Sequence, residues 1–202
     1  MIYSSNNESI LVIDDMYSNT ELSLIWKELD FLTSPTKLQP PSLTGAAVDK
    51  DNGEYAKTGD GVFLDTFYAD RQYSDILKIN RKIFDERIIQ YARQQNIFFG
   101  LLSNINRDHT LINYYDQSQG YKLHADKSVF TAVTLFYKEP VHFTGGDWNF
   151  PEIGKTVEKK NNRMVLFPGS LKHAIDEVQM IDKYEPYSGN GRYAMVQFLN
   201  VA

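Results

Sequence analysis

The chain has 202 residues, 42% hydrophobic and 23% charged, with 13 Tyr, 12 Phe, 2 Trp, no Cys and a formal net charge of −5. This is the balance of a soluble globular chain long enough for one sizeable core, and its aromatic content favours a sheet-rich fold. The acidic total offers no electrostatic footprint for nucleic acid, and no stretch approaches the roughly 20 apolar residues that span a bilayer.

Without cysteine, disulfides and thiolate metal ligands are excluded, so any metal site must be built from His, Asp and Glu. Met1 to Asp15 lacks the basic start and long apolar segment of a secretory signal, and the expected compartment is the cytoplasm.

Ile10-Leu11-Val12-Ile13 is a short apolar run and predicts an edge or entry strand. Ser18 precedes Glu21 by three positions, a capping-box signal. It opens a helix through Leu22, Leu24, Ile25, Trp26 and Leu29 toward Phe31, which Pro35, Pro40 and Pro41 end. Residues 33–61 are polar and rich in Gly, Pro, Asp and Lys, a long loop and a candidate lid. Residues 61–68 predict a strand. Residues 74–95 predict one helix, with Ile76, Ile79, Ile83, Ile88 and Ala92 along one face.

Beyond Gln95 the pattern changes to short β-like runs near residues 97–102, 110–115, 120–123, 130–137, 156–159, 163–167, 174–180 and 192–201. Gly145-Gly146, Asn161-Asn162, Pro168-Gly169 and Gly189-Asn190-Gly191 punctuate them. Such spacing predicts a sandwich or jelly roll. No internal repeat is visible. The expectation is a single domain over 1–202, mainly β, with a helical flank (1–96) buttressing a β core (about 97–202).

Two of the four histidines stand in suggestive contexts. In an extended segment residues i and i+2 point to the same side, so His124 and Asp126 can offer a nitrogen and a carboxylate oxygen to one point. His173 opens a β-like run just after Phe167-Pro168-Gly169, and two strands of a small barrel can bring it to that point. Two His and one carboxylate on one face of a metal leave adjacent positions open for a bidentate co-substrate and O2, which suits non-haem Fe(II). Three ligands plus water is equally a catalytic zinc site, and the triad alone does not choose. His109 reads as a loop or strand-start residue, and His142 as part of the connection before the Gly turn.

The setting of the triad resembles the 2-oxoglutarate- and Fe(II)-dependent dioxygenases, in their prolyl-4-hydroxylase-like branch. Residues 111–201 carry the motifs in order: Tyr114-Tyr115, Tyr121, His124-Ala125-Asp126, an apolar strand ending at Tyr137, and Gly145-Gly146-Asp147-Trp148. Arg163-Met164-Val165-Leu166-Phe167, His173-Ala174-Ile175 and Gly191-Arg192-Tyr193 complete them. Arg192 lies 19 positions after His173, a longer gap than is usual in the branch, and residues 180–190 are expected to form an extended hairpin. Ala194 stands where many relatives carry a Ser.

The resemblance implies a double-stranded β-helix in which His124, Asp126 and His173 bind Fe(II). It implies that Arg192 pairs with the distal carboxylate of 2-oxoglutarate, for which a planar guanidinium is well suited. Tyr115, Tyr137 or Tyr114 would hydrogen-bond that co-substrate, and Trp148 would line the substrate pocket. The implied activity uses 2-oxoglutarate and O2 to oxidise a prolyl or other side chain, or a small metabolite, and releases succinate. A jelly-roll binding module, or a cupin-like metalloprotein that does not use 2-oxoglutarate, is the alternative; neither would need Arg192.

Overall fold

The computed structural model describes residues 2–7, 9–34, 36–48, 52–181 and 185–202. In chain order the elements are β1 (Ile2–Asn7), β2 (Ile10–Asp14), α1 (Asn19–Thr33), β3 (Asp60–Phe63), α2 (Leu64–Phe67), α3 (Asp75–Ile79) and α4 (Glu86–Gln95). There follow β4 (Arg107–Tyr115), β5 (Gln119–His124), β6 (Phe130–Phe136), β7 (Phe143–Thr144), β8 (Trp148–Phe150), β9 (Lys155–Val157), β10 (Arg163–Pro168), β11 (His173–Met180) and β12 (Arg192–Asn200).

The strands form two sheets. The larger runs β1-β2-β10-β6-β12-β4-β3; the smaller runs β5-β11-β8-β9, with β7 also paired to β11. Alternation along the central strands separates two cores. On β12, Tyr193, Met195 and Leu199 point outward, where α1, α3 and α4 pack, while Ala194 and Val196 point inward. On β6, Val133 and Leu135 join the inner core while Ala132 and Phe136 join the outer one. Because both faces of this sheet are covered, β6 is buried along its whole length and carries no polar alternation. The expected mainly-β fold with buttressing helices is the one observed: a double-stranded β-helix.

Helix α1 begins as its sequence predicts. Ser18 caps the Glu21 N–H, and the Glu21 carboxylate accepts from the Ser18 N–H. From its buried face, Glu28 reaches across to accept from Ser74 Oγ at 2.6 Å and the Ile76 N–H at 2.8 Å, tying α1 to the start of α3.

Elsewhere the expectations need correction. The predicted helix over 74–95 is broken into α3, a 3-10 segment (Asn80–Phe84) and α4. Asn80 is fully buried and donates to Thr110 Oγ1, and Asp85 leaves helical geometry to cap α4. Residues 97–102, expected as a strand, belong to a 3-10 helix (Ile97–Asn104) that Asn96 caps. Phe99 and Leu102 are its buried pair, three apart as a 3-10 repeat requires. The strand expected over 61–68 stops at Phe63, and α2 follows. Ile10–Ile13, expected as an edge or entry strand, is not at the edge: it lies in β2, between β1 and β10. The hairpin expected at 180–190 falls partly outside the described residues. Among the described residues, no helix is long and apolar enough to cross a membrane.

Candidate metal centre and its cavity

β5 and β11 pair antiparallel, with His173 directly opposite His124. His124 ends β5, the chain turns, and Asp126 is pinned where its N–H donates to the Gly169 carbonyl at 2.7 Å. The ligand atoms of His124, Asp126 and His173 all lie within 4.8 Å of one another. His124 Nε2 is 3.9 Å from Asp126 Oδ1, and His173 Nε2 is 3.7 Å from Asp126 Oδ2.

Each imidazole is oriented through its other nitrogen. Nδ1 of His124 lies 2.8 Å from the Lys122 carbonyl, and Nδ1 of His173 lies 3.0 Å from the Leu171 carbonyl. A carbonyl can only accept, so both Nδ1 atoms carry a proton, and Nε2 is the nitrogen that each ring can offer to a metal. Tyr121 stacks on His124 at 3.5 Å and Phe167 meets His173 edge-on at 4.6 Å. Thr131 Oγ1 donates to Asp126 Oδ2 at 2.6 Å.

Burial, reinforced by the neighbouring His173, pulls His124 down to about 3, so its ring is neutral. Burial pushes Asp126 up, against the opposing pull of His173 and the Thr131 hydrogen bond. An imidazole held neutral, a second imidazole and a buried carboxylate thus converge on one point, an arrangement that a divalent cation would complete.

A cavity of about 790 Å3 opens on the triad, its walls including Tyr115, Val133, Trp148, Val196 and Phe198. Thr44, Gly45, Ala46, Ala47 and Val48, from the predicted lid segment, line it as well.

Arg192 begins β12 and is fully buried. Its Nε donates to the Gly146 carbonyl at 2.8 Å, while both terminal nitrogens have no partner. The guanidinium carbon sits 4.8 Å from the Trp148 ring centre and 5.4 Å from that of Tyr115. The Tyr115 hydroxyl and Trp148 Nε1 are likewise buried and unpartnered. Gly146 has φ +78°, and a Cβ there would come within 2.9 Å of Arg192 Cδ, so only glycine lets this carbonyl reach the guanidinium unstrained.

The remaining predicted residues separate. Tyr137 packs edge-on against Phe143 in the inner core and does not line the cavity. Tyr114 faces the outer core, its ring 4.7 Å from that of Tyr193 and its hydroxyl accepting from the Gly191 N–H. His109 does line the cavity, near Phe198, whereas His142 does not. Sequence reasoning missed Thr131 and Lys57. Thr131 shares its strand parity with Val133, a legible hint; Lys57 gave none.

No family model matches the chain, and no curated protein matches it in sequence. Solved structures do resemble it. A prolyl-4-hydroxylase from Pseudomonas putida superposes with a TM-score of 0.59 at 15% identity, over 96% of this chain and 93% of that one. A Trichoplax adhaerens prolyl hydroxylase, in complex with a hypoxia inducible factor oxygen degradation domain peptide fragment, gives 0.63 at 13% identity, over 97% and 85%. A viral collagen prolyl hydroxylase from Paramecium Bursaria Chlorella virus-1, in a 2-oxoglutarate complex, gives 0.56 at 12% identity, over 95% and 94%. The chain therefore has the fold of the prolyl hydroxylases, and within it a His-Asp-His facial triad.

Proposed function

We propose that this chain is a non-haem Fe(II) dioxygenase that couples decarboxylation of 2-oxoglutarate to succinate with hydroxylation or another oxidation of a substrate. The observation that carries this reading is the cluster around Arg192. Of the seven buried side-chain atoms without a hydrogen-bond partner among the described residues, four are Tyr115 Oη, Trp148 Nε1 and the two terminal nitrogens of Arg192. Leaving such donors unpaired is costly, and a carboxylate answers all of them. Tyr115 and Trp148 line the cavity that holds the triad, so an acid anchored here can reach a metal bound there.

The triad fits iron by the same kind of argument. It offers two imidazole nitrogens and one carboxylate, with no thiolate, and it leaves one side of the ion facing the cavity. When bound, iron and 2-oxoglutarate would supply the chemistry of O2 activation. The protein's part is placement. Arg192 grips the distal carboxylate, with Tyr115 and Trp148 donating beside it. Val133 and Val196 keep the site apolar and exclude water. Thr131 holds the Asp126 carboxylate in position.

The prolyl hydroxylases of like fold favour a prolyl or other side chain as substrate; a small metabolite fits the same cavity. The absence of cysteine agrees with a cytoplasmic enzyme, and the reading treats the chain as one catalytic domain.

The test is anaerobic Fe(II) binding followed by a 2-oxoglutarate titration, read by the metal-to-keto-acid absorption band. A saturable band is expected. Iron binding without a band would point to a cupin-like protein, and no iron binding to a binding module.

A further inference from the structure

Lys57 is a second buried cation, set in the wall of the cavity that holds the triad, and nothing in the proposed chemistry uses it. Only 1% of it is exposed, and it lines the cavity together with Thr44 and Asn113. Its ammonium donates to Thr44 Oγ1 at 2.9 Å and to Asn113 Oδ1 at 2.8 Å, both neutral acceptors. Among the described residues, no carboxylate lies within ion-pair distance of it.

An ammonium buried without an ion-pair partner is expensive, and burial pulls this one down to about 8 against the weaker, more distant pull of Asp60. A methionine would fill the same space without that cost. The surroundings are nonetheless built to hold the group. Asn113 pairs with Gly61 across β4 and β3, and a Cβ at Gly61 would meet Asn113 Oδ1 at 2.5 Å. Glycine at this position lets the side chain of Asn113 stand where Lys57 needs an acceptor.

The charges of the cavity indicate what Lys57 awaits. A divalent metal, Asp126, Arg192 and a doubly charged keto diacid cancel one another. Among the described residues, Asp126 is the only carboxylate in the cavity wall, and two lysines line it: Lys127 is exposed to solvent, whereas Lys57 is buried. With the site loaded, solvent answers the exposed Lys127, and the buried ammonium of Lys57 still lacks a charged partner.

Resting on the reading of the triad and Arg192 given above, we propose that Lys57, with Asn113 and Thr44, binds a carboxylate of the molecule that is oxidised, so that the substrate is a small carboxylic acid. A single ammonium flanked by one amide and one hydroxyl matches a singly charged group better than a phosphate dianion, for which guanidinium forks or a helix N-terminus would be expected. The cavity has room for such an acid beside 2-oxoglutarate.

The experiment uses the full chain, loaded anaerobically with Fe(II) and 2-oxoglutarate so that Arg192 is already engaged. It is titrated calorimetrically with L-amino acids and short 2-hydroxy acids, each beside its own carboxamide. At least one acid should bind saturably, and its amide at least about tenfold more weakly. Lys57→Met should weaken that acid at least about tenfold more than it weakens 2-oxoglutarate. A residue that merely anchored the segment around it would not distinguish acid from amide. The proposal is overturned if no acid binds, if acid and amide bind alike, or if the variant leaves the acid's affinity unchanged. Where the variant fails to fold, the acid-to-amide ratio on the unaltered chain decides. An absent absorption band condemns the oxygenase reading, and this proposal with it. A normal band without acid discrimination condemns the Lys57 site alone.

Discussion

His124 and His173 are cross-strand partners, one ending β5 and the other opening β11, with ring centres 4.2 Å apart. The pairing of two backbone strands thus sets the spacing of two imidazoles. Asp126 completes the set because its own N–H is tied to the carbonyl of Gly169, four positions before His173. The two histidines are held by strand pairing and Asp126 by the adjoining turn, so the candidate site is formed without a metal.

His173→Ala removes one ligand of three without touching the hydrogen bonds that hold the others. Fe(II) affinity, measured anaerobically by calorimetry, should fall by at least about 100-fold. An unchanged affinity would show that the metal, if bound at all, sits elsewhere.

Thr131→Val keeps the shape of the side chain and deletes the 2.6 Å hydrogen bond to Asp126. That bond favours the charged carboxylate, which burial alone disfavours. Metal affinity should fall by about 10- to 100-fold, the usual cost of losing an outer-shell partner. The folded state should survive, as a circular dichroism melt would report.

Arg192→Met separates two properties of a buried cation. The midpoint of the 2-oxoglutarate band should rise by about 30-fold or more, because truncating one side of a buried charge pair costs roughly 2–5 kcal/mol. Fe(II) affinity should hold. The ligand-free chain should be no less stable than the unaltered one, since the guanidinium is fully buried there beside the Trp148 and Tyr115 rings, with the Gly146 carbonyl as its one hydrogen-bond partner among the described residues. Urea denaturation of the two ligand-free proteins checks the last point.

His124, His173 and Arg192 were legible because each stands in a strand whose two-residue repeat fixes which way it points, and Asp126 because it follows His124 by two positions, just past the end of β5. The same repeat explains why Tyr115 faces the cavity and Tyr114 does not, a choice that sequence alone left open because adjacent tyrosines differ only in parity. Residues 97–102 were misread because a run of apolar residues satisfies a strand and a short helix equally. The helix over 74–95 breaks at Asn80, whose buried side chain answers to Thr110 on a distant strand. β8, which brings Trp148 to Arg192, is three residues long and too short to show a pattern. Lys57 could not be found from sequence: its role depends on Asn113, 56 positions away.

Lys57 also predicts how stability responds to pH. Its ordinary value is 10.5 and burial lowers it to about 8, with Asp60 opposing the shift. Below pH 8 the ammonium is charged in both folded and unfolded chains, and the fold bears the whole cost of burying it. Between about 8 and 10.5 the folded chain has released a proton that the unfolded chain still holds, so stability rises with pH through that window. The full effect is on the order of 3 kcal/mol. Lys57→Met lacks the titrating group, so the difference between the two ligand-free proteins isolates it from every other ionisation. At pH 7 the variant should be the more stable, less what Thr44 and Asn113 lose with their donor. The gap should close as pH climbs toward 10.5. Urea denaturation at intervals across this range measures it. A gap that stays constant with pH would mean that Lys57 titrates as an exposed lysine does, and that its ammonium is better compensated in the fold than two neutral acceptors allow.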